Sequence, residues 1–118
     1  MPRPKIIKKI TINPKYTSFT TVDKDSQTNN LIDLTVEEFE TIRLIDYQNL
    51  SQCECADIMQ ISRPSVGILY NQARLKIAKY LIDGGDLHIK GGNYEIIDQQ
   101  NDLQFRHHRH RNQFKRNN

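Results

Sequence analysis

At 118 residues the chain has room for one domain with a tail at each end, and an apolar share of 36% points to a core smaller than the whole. No apolar run approaches the roughly eighteen residues needed to span a bilayer, and the opening Met1-Pro2-Arg3-Pro4-Lys5 lacks a secretory signal's apolar region, so a cytoplasmic location is expected. The net charge of +3 hides a segregation: residues 1–15 and 103–118 each carry five bases and no acid, while the rest holds seven bases and all fourteen acids, a distribution suited to presenting selected surfaces to a polyanion.

In chain order, residues 6–12 (Ile6-Ile7-Lys8-Lys9-Ile10-Thr11-Ile12) are rich in β-branched side chains and stop at Asn13-Pro14, which reads as a short strand ended by a turn. Residues 16–22 suit a second strand, and the polar run Asp23 to Asn30 suits a loop. Residues 1–30 are therefore read as a basic arm with short strands and a loop.

A first helix is expected from Val36 to Tyr47. Thr35 is placed to cap it, Glu38 to complete the capping box, and Leu34 and Phe39 to staple its start. Phe39, Ile42 and Ile45 recur on one face, with Leu44 nearby. The device repeats with Ser51 and Glu54, predicting a second helix from Gln52 to Met59 whose core stripe is Cys55, Ala56 and Met59. A third, basic helix is expected to begin at Ser62, with Arg63 and Pro64 in its first turn, where proline loses no hydrogen bond. At 100° per residue Val66, Leu69, Ala73, Ile77 and Tyr80 fall in one arc and should face the core. Gly84-Gly85 ends the helix. Leu87 to Lys90, Gly91-Gly92 and Tyr94 to Ile97 then read as a β-hairpin. Residues 31–97 thus form the expected helix-turn-helix domain, and 98–118 a disordered basic tail rich in His and Arg.

Cys53 and Cys55 stand two apart on a helix and cannot bridge each other, so Cys55 is expected in the core and Cys53 nearer the surface. No glycine-rich phosphate loop, HExxH motif or nucleophile with its base in register is present, so no enzymatic activity is expected.

Two short helices and a longer basic one joined by a tight turn place side chains in the major groove of DNA. Arg63, Ser65, Asn71 and Gln72 are the base-edge candidates: the guanidinium can fork onto guanine and the amides suit adenine. Gly67 would allow close approach of a sugar-phosphate strand. Ser62, Arg74, Lys76 and Lys79 are phosphate candidates, together with Arg3, Lys5, Lys8 and Lys9 of the first arm and Arg106, Arg109 and Arg111 of the second. Ile68, Leu75 and Ile82 recur every seven residues on the face of helix three away from the core. They mark a dimer or partner surface, or one covered by the chain's own β segments. His107, His108 and His110 suit nickel, copper or zinc weakly, because the alternating arginines repel a cation; no metal and no cofactor is assigned.

The pattern Leu34-Thr35, Glu38, Glu40, Ile42-Arg43-Leu44, Asp46, Leu50-Ser51-Gln52, Glu54, Ala56, Met59, Ser62-Arg63, Gly67, Ala73-Arg74, Lys76, Ala78, Leu87, Ile89 and Gly91-Gly92, with Arg3-Pro4 at the start, resembles the family catalogued as domain of unknown function 134, predicted DNA-binding proteins. More distantly, helices two and three look like region four of sigma factors. The chain departs from the family pattern at Ile7 and Lys8, where cysteines are usual, and at Ile68 and Leu75, where bases are usual.

The expected fold is mainly α: a three-helix, sigma-region-four-like helix-turn-helix core with short N-terminal strands and a C-terminal β-hairpin. The expected function is sequence-specific binding of double-stranded DNA in transcription regulation, with a homodimer as a further expectation. The competing readings are an adaptor docking on the transcription machinery, such as RNA polymerase, through the acidic helix one and the apolar stripe, and a metal-responsive regulator using the histidine tail.

Overall fold

The computed structural model describes residues 7–97. Its elements are β1 (Lys8–Ile10), β2 (Ser18–Thr20), β3 (Leu31–Leu34), α1 (Val36–Thr41) running on as a π-helical turn (Ile42–Tyr47), α2 (Gln52–Met59), α3 (Arg63–Asp83), β4 (Asp86–Ile89) and β5 (Tyr94–Ile96).

The three helices begin where their caps place them. Thr35 Oγ1 accepts the Glu38 N–H at 3.1 Å while Glu38 Oε1 accepts the Thr35 N–H at 3.0 Å. Ser51 and Glu54 repeat the exchange at 3.0 and 2.8 Å, and Ser62 Oγ accepts the Ser65 N–H at 3.2 Å. Each box satisfies amides that the first helical turn leaves without partners.

The mainly α expectation is corrected by the strands. Five of them form two sheets, so the fold is mixed α/β. In the larger sheet β4 is central, antiparallel to β2 (Phe19 opposite Leu87) and parallel to β3 (Ile32 opposite Leu87). In the smaller, β1 runs parallel to β5 with Lys8 opposite Tyr94. The two C-terminal strands lie where expected on either side of Gly91-Gly92, and both take their registered partners from the N-terminal part of the chain. Residues 8–20, expected as part of an arm, are thereby woven into the domain. The strands are three or four residues long and pair across most of the sequence, so local periodicity carried little sign of them.

Two apolar clusters result. Ile10, Leu34, Val36, Ala73, Leu87 and Ile89 join the sheets to α1 and α3. Leu44, Cys55, Ala56, Ile58, Met59 and Val66 join α2, the π-helical turn and the start of α3. The long third helix serves both, giving Val66 and Leu69 to one and Ala73 and Tyr80 to the other. Full burial of a side chain such as Val66 stabilises by roughly 1.5–3 kcal/mol.

The widened turn after Thr41 shifts the phase of the first helix, and Leu44 takes the deep position while Ile45 stays half-buried. Asn49 (φ 64°) and Gln60 (φ 58°) then reverse the chain in left-handed conformations, the second ending α2 just ahead of the Ser62 cap.

Candidate nucleic-acid interface

Three acids of the first helix are inside, while Asp46 at its end is exposed. Glu37, Glu38 and Glu40 are buried, each beside a base. Lys8 Nζ lies 2.9 Å from Glu37 Oε2. Lys76 Nζ lies 2.7 Å from Glu38 Oε1 and donates to the Asp33 carbonyl at 2.9 Å. Arg43 clamps Glu40 with Nε at 2.9 Å and Nη2 at 3.0 Å, and Nη2 also donates to Thr11 Oγ1 at 2.6 Å. The glutamates of the first helix, which in the sequence read as a negative surface, are instead a set of internal ion pairs.

Removing those acids from the surface alters the electrostatics of α3. Along its 21 residues the sole acid is Asp83, the last. Arg63, Pro64, Asn71, Gln72 and Lys79 are exposed. Arg74 is exposed too, its guanidinium 5.2 Å from the centre of the Tyr70 ring, and Tyr70 donates to Asp46 Oδ1 at 2.6 Å. That hydrogen bond to a carboxylate, followed by burial and by the Asp46 charge, raises the Tyr70 hydroxyl above its ordinary pKa of 10.0. The chain Arg74–Tyr70–Asp46 fixes the middle of α3 against the π-helical turn.

Other sequence candidates are placed differently. Ser65 is half-buried, and its hydroxyl lies 2.9 Å from that of Ser62 in the cap. A Cβ on Gly67 would lie 3.7 Å from Gln52 Oε1, so this glycine faces the start of α2. Lys8 and Lys76 are engaged in the pairs above, and Lys9 pairs with Glu95. Arg3, Lys5, Arg106, Arg109, Arg111 and the three candidate histidines of the tail lie outside the described residues. Ile68, Leu75 and Ile82 are 59, 70 and 84% exposed, so no β segment among the described residues covers them.

Cys55 is buried as expected, its Sγ 3.7 Å from Met59 Sδ, and Cys53 is exposed. Burial, aided by the Glu40 charge and opposed by Arg43, pushes the Cys55 thiol up to about 12, which leaves it protonated and unreactive. Among the described residues no group of three or more His, Cys, Asp or Glu side chains could hold a metal ion, and no helix is long and apolar enough to cross a membrane.

Sequence reasoning missed Arg43, Glu40 and Thr11 as a buried network, and Asp46 and Tyr70 as the brace of α3. Arg43 at three residues from Glu40 was a usable signal; the approach of Thr11 and Tyr70 from distant segments was not.

These features define a small mixed α/β domain in which a two-helix unit, α2 and α3, stands on paired sheets with the basic outer face of α3 open. The chain belongs to the family described as Protein of unknown function DUF134, matched over residues 1–97. It is 40% identical over 98 residues to a UPF0251 protein of Desulfitobacterium hafniense (strain Y51), covering 83% of this chain and 78% of the relative. A UPF0251 protein of Thermoanaerobacter sp. (strain X514) is 39% identical over 100 residues, covering 85% of this chain and 88% of the relative. Another, from Methanothermobacter thermautotrophicus, is 38% identical over 100 residues, which is 51% of its own length. No solved structure matches the chain.

Proposed function

We propose that the protein binds double-stranded DNA sequence-specifically through the first turns of α3 and acts in transcription regulation, with α2 and α3 as a helix-turn-helix. The observation that carries this reading is the outer face of α3: Arg63, Asn71 and Gln72 are exposed together, on a helix without an acid before Asp83. Arg63 suits guanine or a nearby phosphate, and the two amides suit adenine edges. Arg74 and Lys79 lie further along and contact phosphates, which gives affinity and salt dependence and no sequence preference. Lys8 and Lys76 leave the phosphate set, because their ammonium groups are held by Glu37 and Glu38.

The test is selection of bound duplexes from a random library at fixed salt, comparing the wild-type chain with Arg63→Ala. An enriched motif that the substitution degrades supports base reading by α3. Recovery of unenriched sequences by both proteins would refute sequence-specific recognition.

A further inference from the structure

Beyond DNA, we infer that the outer face of the C-terminal half of α3 docks an amphipathic helix of another protein whose flanks are acidic. A helix of 21 residues is about 31 Å long, and the base-edge candidates Arg63, Asn71 and Gln72 lie in its first half, which leaves the apolar residues of its second half without a role in base reading. That half carries Leu75, Leu81 and Ile82, all at least 70% exposed. With Ile68, Leu75 and Ile82 placed at successive a positions of a heptad, Asn71 and Ala78 fall at d, Gln72 and Lys79 at e, and Arg74 and Leu81 at g. This is a seam for one more helix, set opposite the buried Val66 and Ala73.

Charge selects the occupant. The cations beside the seam are Arg74 and Lys79, and neither forms a salt bridge with a described acid. A second copy of α3 in parallel would set Arg74 against the partner's Lys79, and an antiparallel copy would bring Arg74 towards the partner's Arg74. Both arrangements place like charges across the seam, which is destabilising. A helix with apolar residues at heptad spacing and glutamates or aspartates at its e and g positions meets both requirements. Lys76, which lies off the seam, is neutralised by Glu38 and takes no part.

The probe is a fluorescein-labelled four-heptad peptide with leucine at a and d and glutamate at e and g, together with a twin bearing lysine at e and g. Anisotropy titration against the full chain, without DNA, is expected to show the acidic peptide binding roughly tenfold or more tightly than the basic one. Leu75→Ser with Ile82→Ser should abolish that binding with the thermal unfolding profile kept, and Arg74→Glu with Lys79→Glu should invert the preference. Equal binding of both peptides, binding of neither, or indifference to the seam substitutions would overturn the inference. So would a doubled mass in light scattering that the Leu75→Ser, Ile82→Ser variant restores to 13.9 kDa, which would make the occupant a second copy. Because DNA is absent, failure of the duplex selection leaves this result standing, and the reverse holds as well.

Discussion

Lys76 and Glu38, thirty-eight positions apart, share a carboxylate oxygen with the cap of α1: Oε1 of Glu38 lies 2.7 Å from Lys76 Nζ and 3.0 Å from the Thr35 amide nitrogen. One buried oxygen therefore ties the start of the first helix to the middle of the third. A lysine that in the sequence looks like a phosphate contact is a structural strut.

Two lysines three residues apart should consequently behave in opposite ways. Lys76→Ala leaves a buried carboxylate with one partner fewer and is expected to lower stability by about 1–2 kcal/mol, allowing for the partial exposure of the lysine. Lys79→Ala should change stability by less than about 0.5 kcal/mol. On DNA the order reverses: Lys79→Ala reduces the slope of log K against log salt by about 0.9 if it neutralises one phosphate, and Lys76→Ala leaves the slope unchanged. Urea unfolding and a salt titration of duplex binding read the two effects separately.

Arg43 carries a heavier structural role. Glu40 has no solvent exposure, and both its oxygens face Arg43. Arg43→Ala removes the counter-charge of that buried carboxylate, which keeps the Thr11 amide at 3.2 Å and hydroxyl at 3.4 Å, and should cost about 3–5 kcal/mol, whereas the double substitution Glu40→Met, Arg43→Met should recover most of the loss. A double-substitution cycle on unfolding free energies checks this, and additivity of the two single losses would contradict it.

Tyr70 should titrate above the ordinary tyrosine value. Its folded pKa is raised by the bond to Asp46, so the contribution to stability is complete below the unfolded value of about 10 and is lost as pH rises through the folded one. Phenolate absorbance should show a lagging step in the wild-type chain that is missing in Tyr70→Phe. The substituted protein should lose less stability on going to alkaline pH.

Gly85 turns α3 into β4 with φ of +107°, and a Cβ there would lie 2.3 Å from the Asn30 carbonyl oxygen. The neighbour is backbone and cannot swing aside, so Gly85→Ala should cost roughly 2–3 kcal/mol or more through strain and displacement of the strand. Thermal unfolding measures it. A change of less than about 0.5 kcal/mol would mean that the loop relaxes without loss.

The sequence made legible what is decided within a few residues. Thr35 with Glu38, Ser51 with Glu54, and Ser62 ahead of Pro64 set three helix starts because capping acts over one turn, and the burial of Cys55 beside Ala56 followed from the stripe of α2. The rest depends on distant approach. β3 is defined by its pairing with β4, from Leu31 opposite Asp86 to Leu34 opposite Ile89, and nothing local announces it. The π-helical turn altered which leucine or isoleucine went inward. Glu37, Glu38 and Glu40 look in isolation like a solvated face, and only Lys8, Arg43 and Lys76 arriving from three segments show that they are buried. The exposure of Arg63, Asn71 and Gln72 was legible because they lie opposite the apolar arc of their own helix, whereas the engagement of Lys8 and Lys76 was not.

The parallel pairing of β1 with β5 has a consequence for the order of events during synthesis. Lys8 finds its register partner only at Tyr94, so the second strand of the chain's first ladder leaves a ribosome eighty-six residues after the first. At about 5–20 residues per second, β1 waits several seconds unpaired while the helices, whose contacts are local, are already able to form. Its two lysines, destined for Glu37 and Glu95, keep that waiting edge charged and discourage pairing with a neighbouring nascent chain. The smaller sheet is thus a clasp that closes after the described helices have formed.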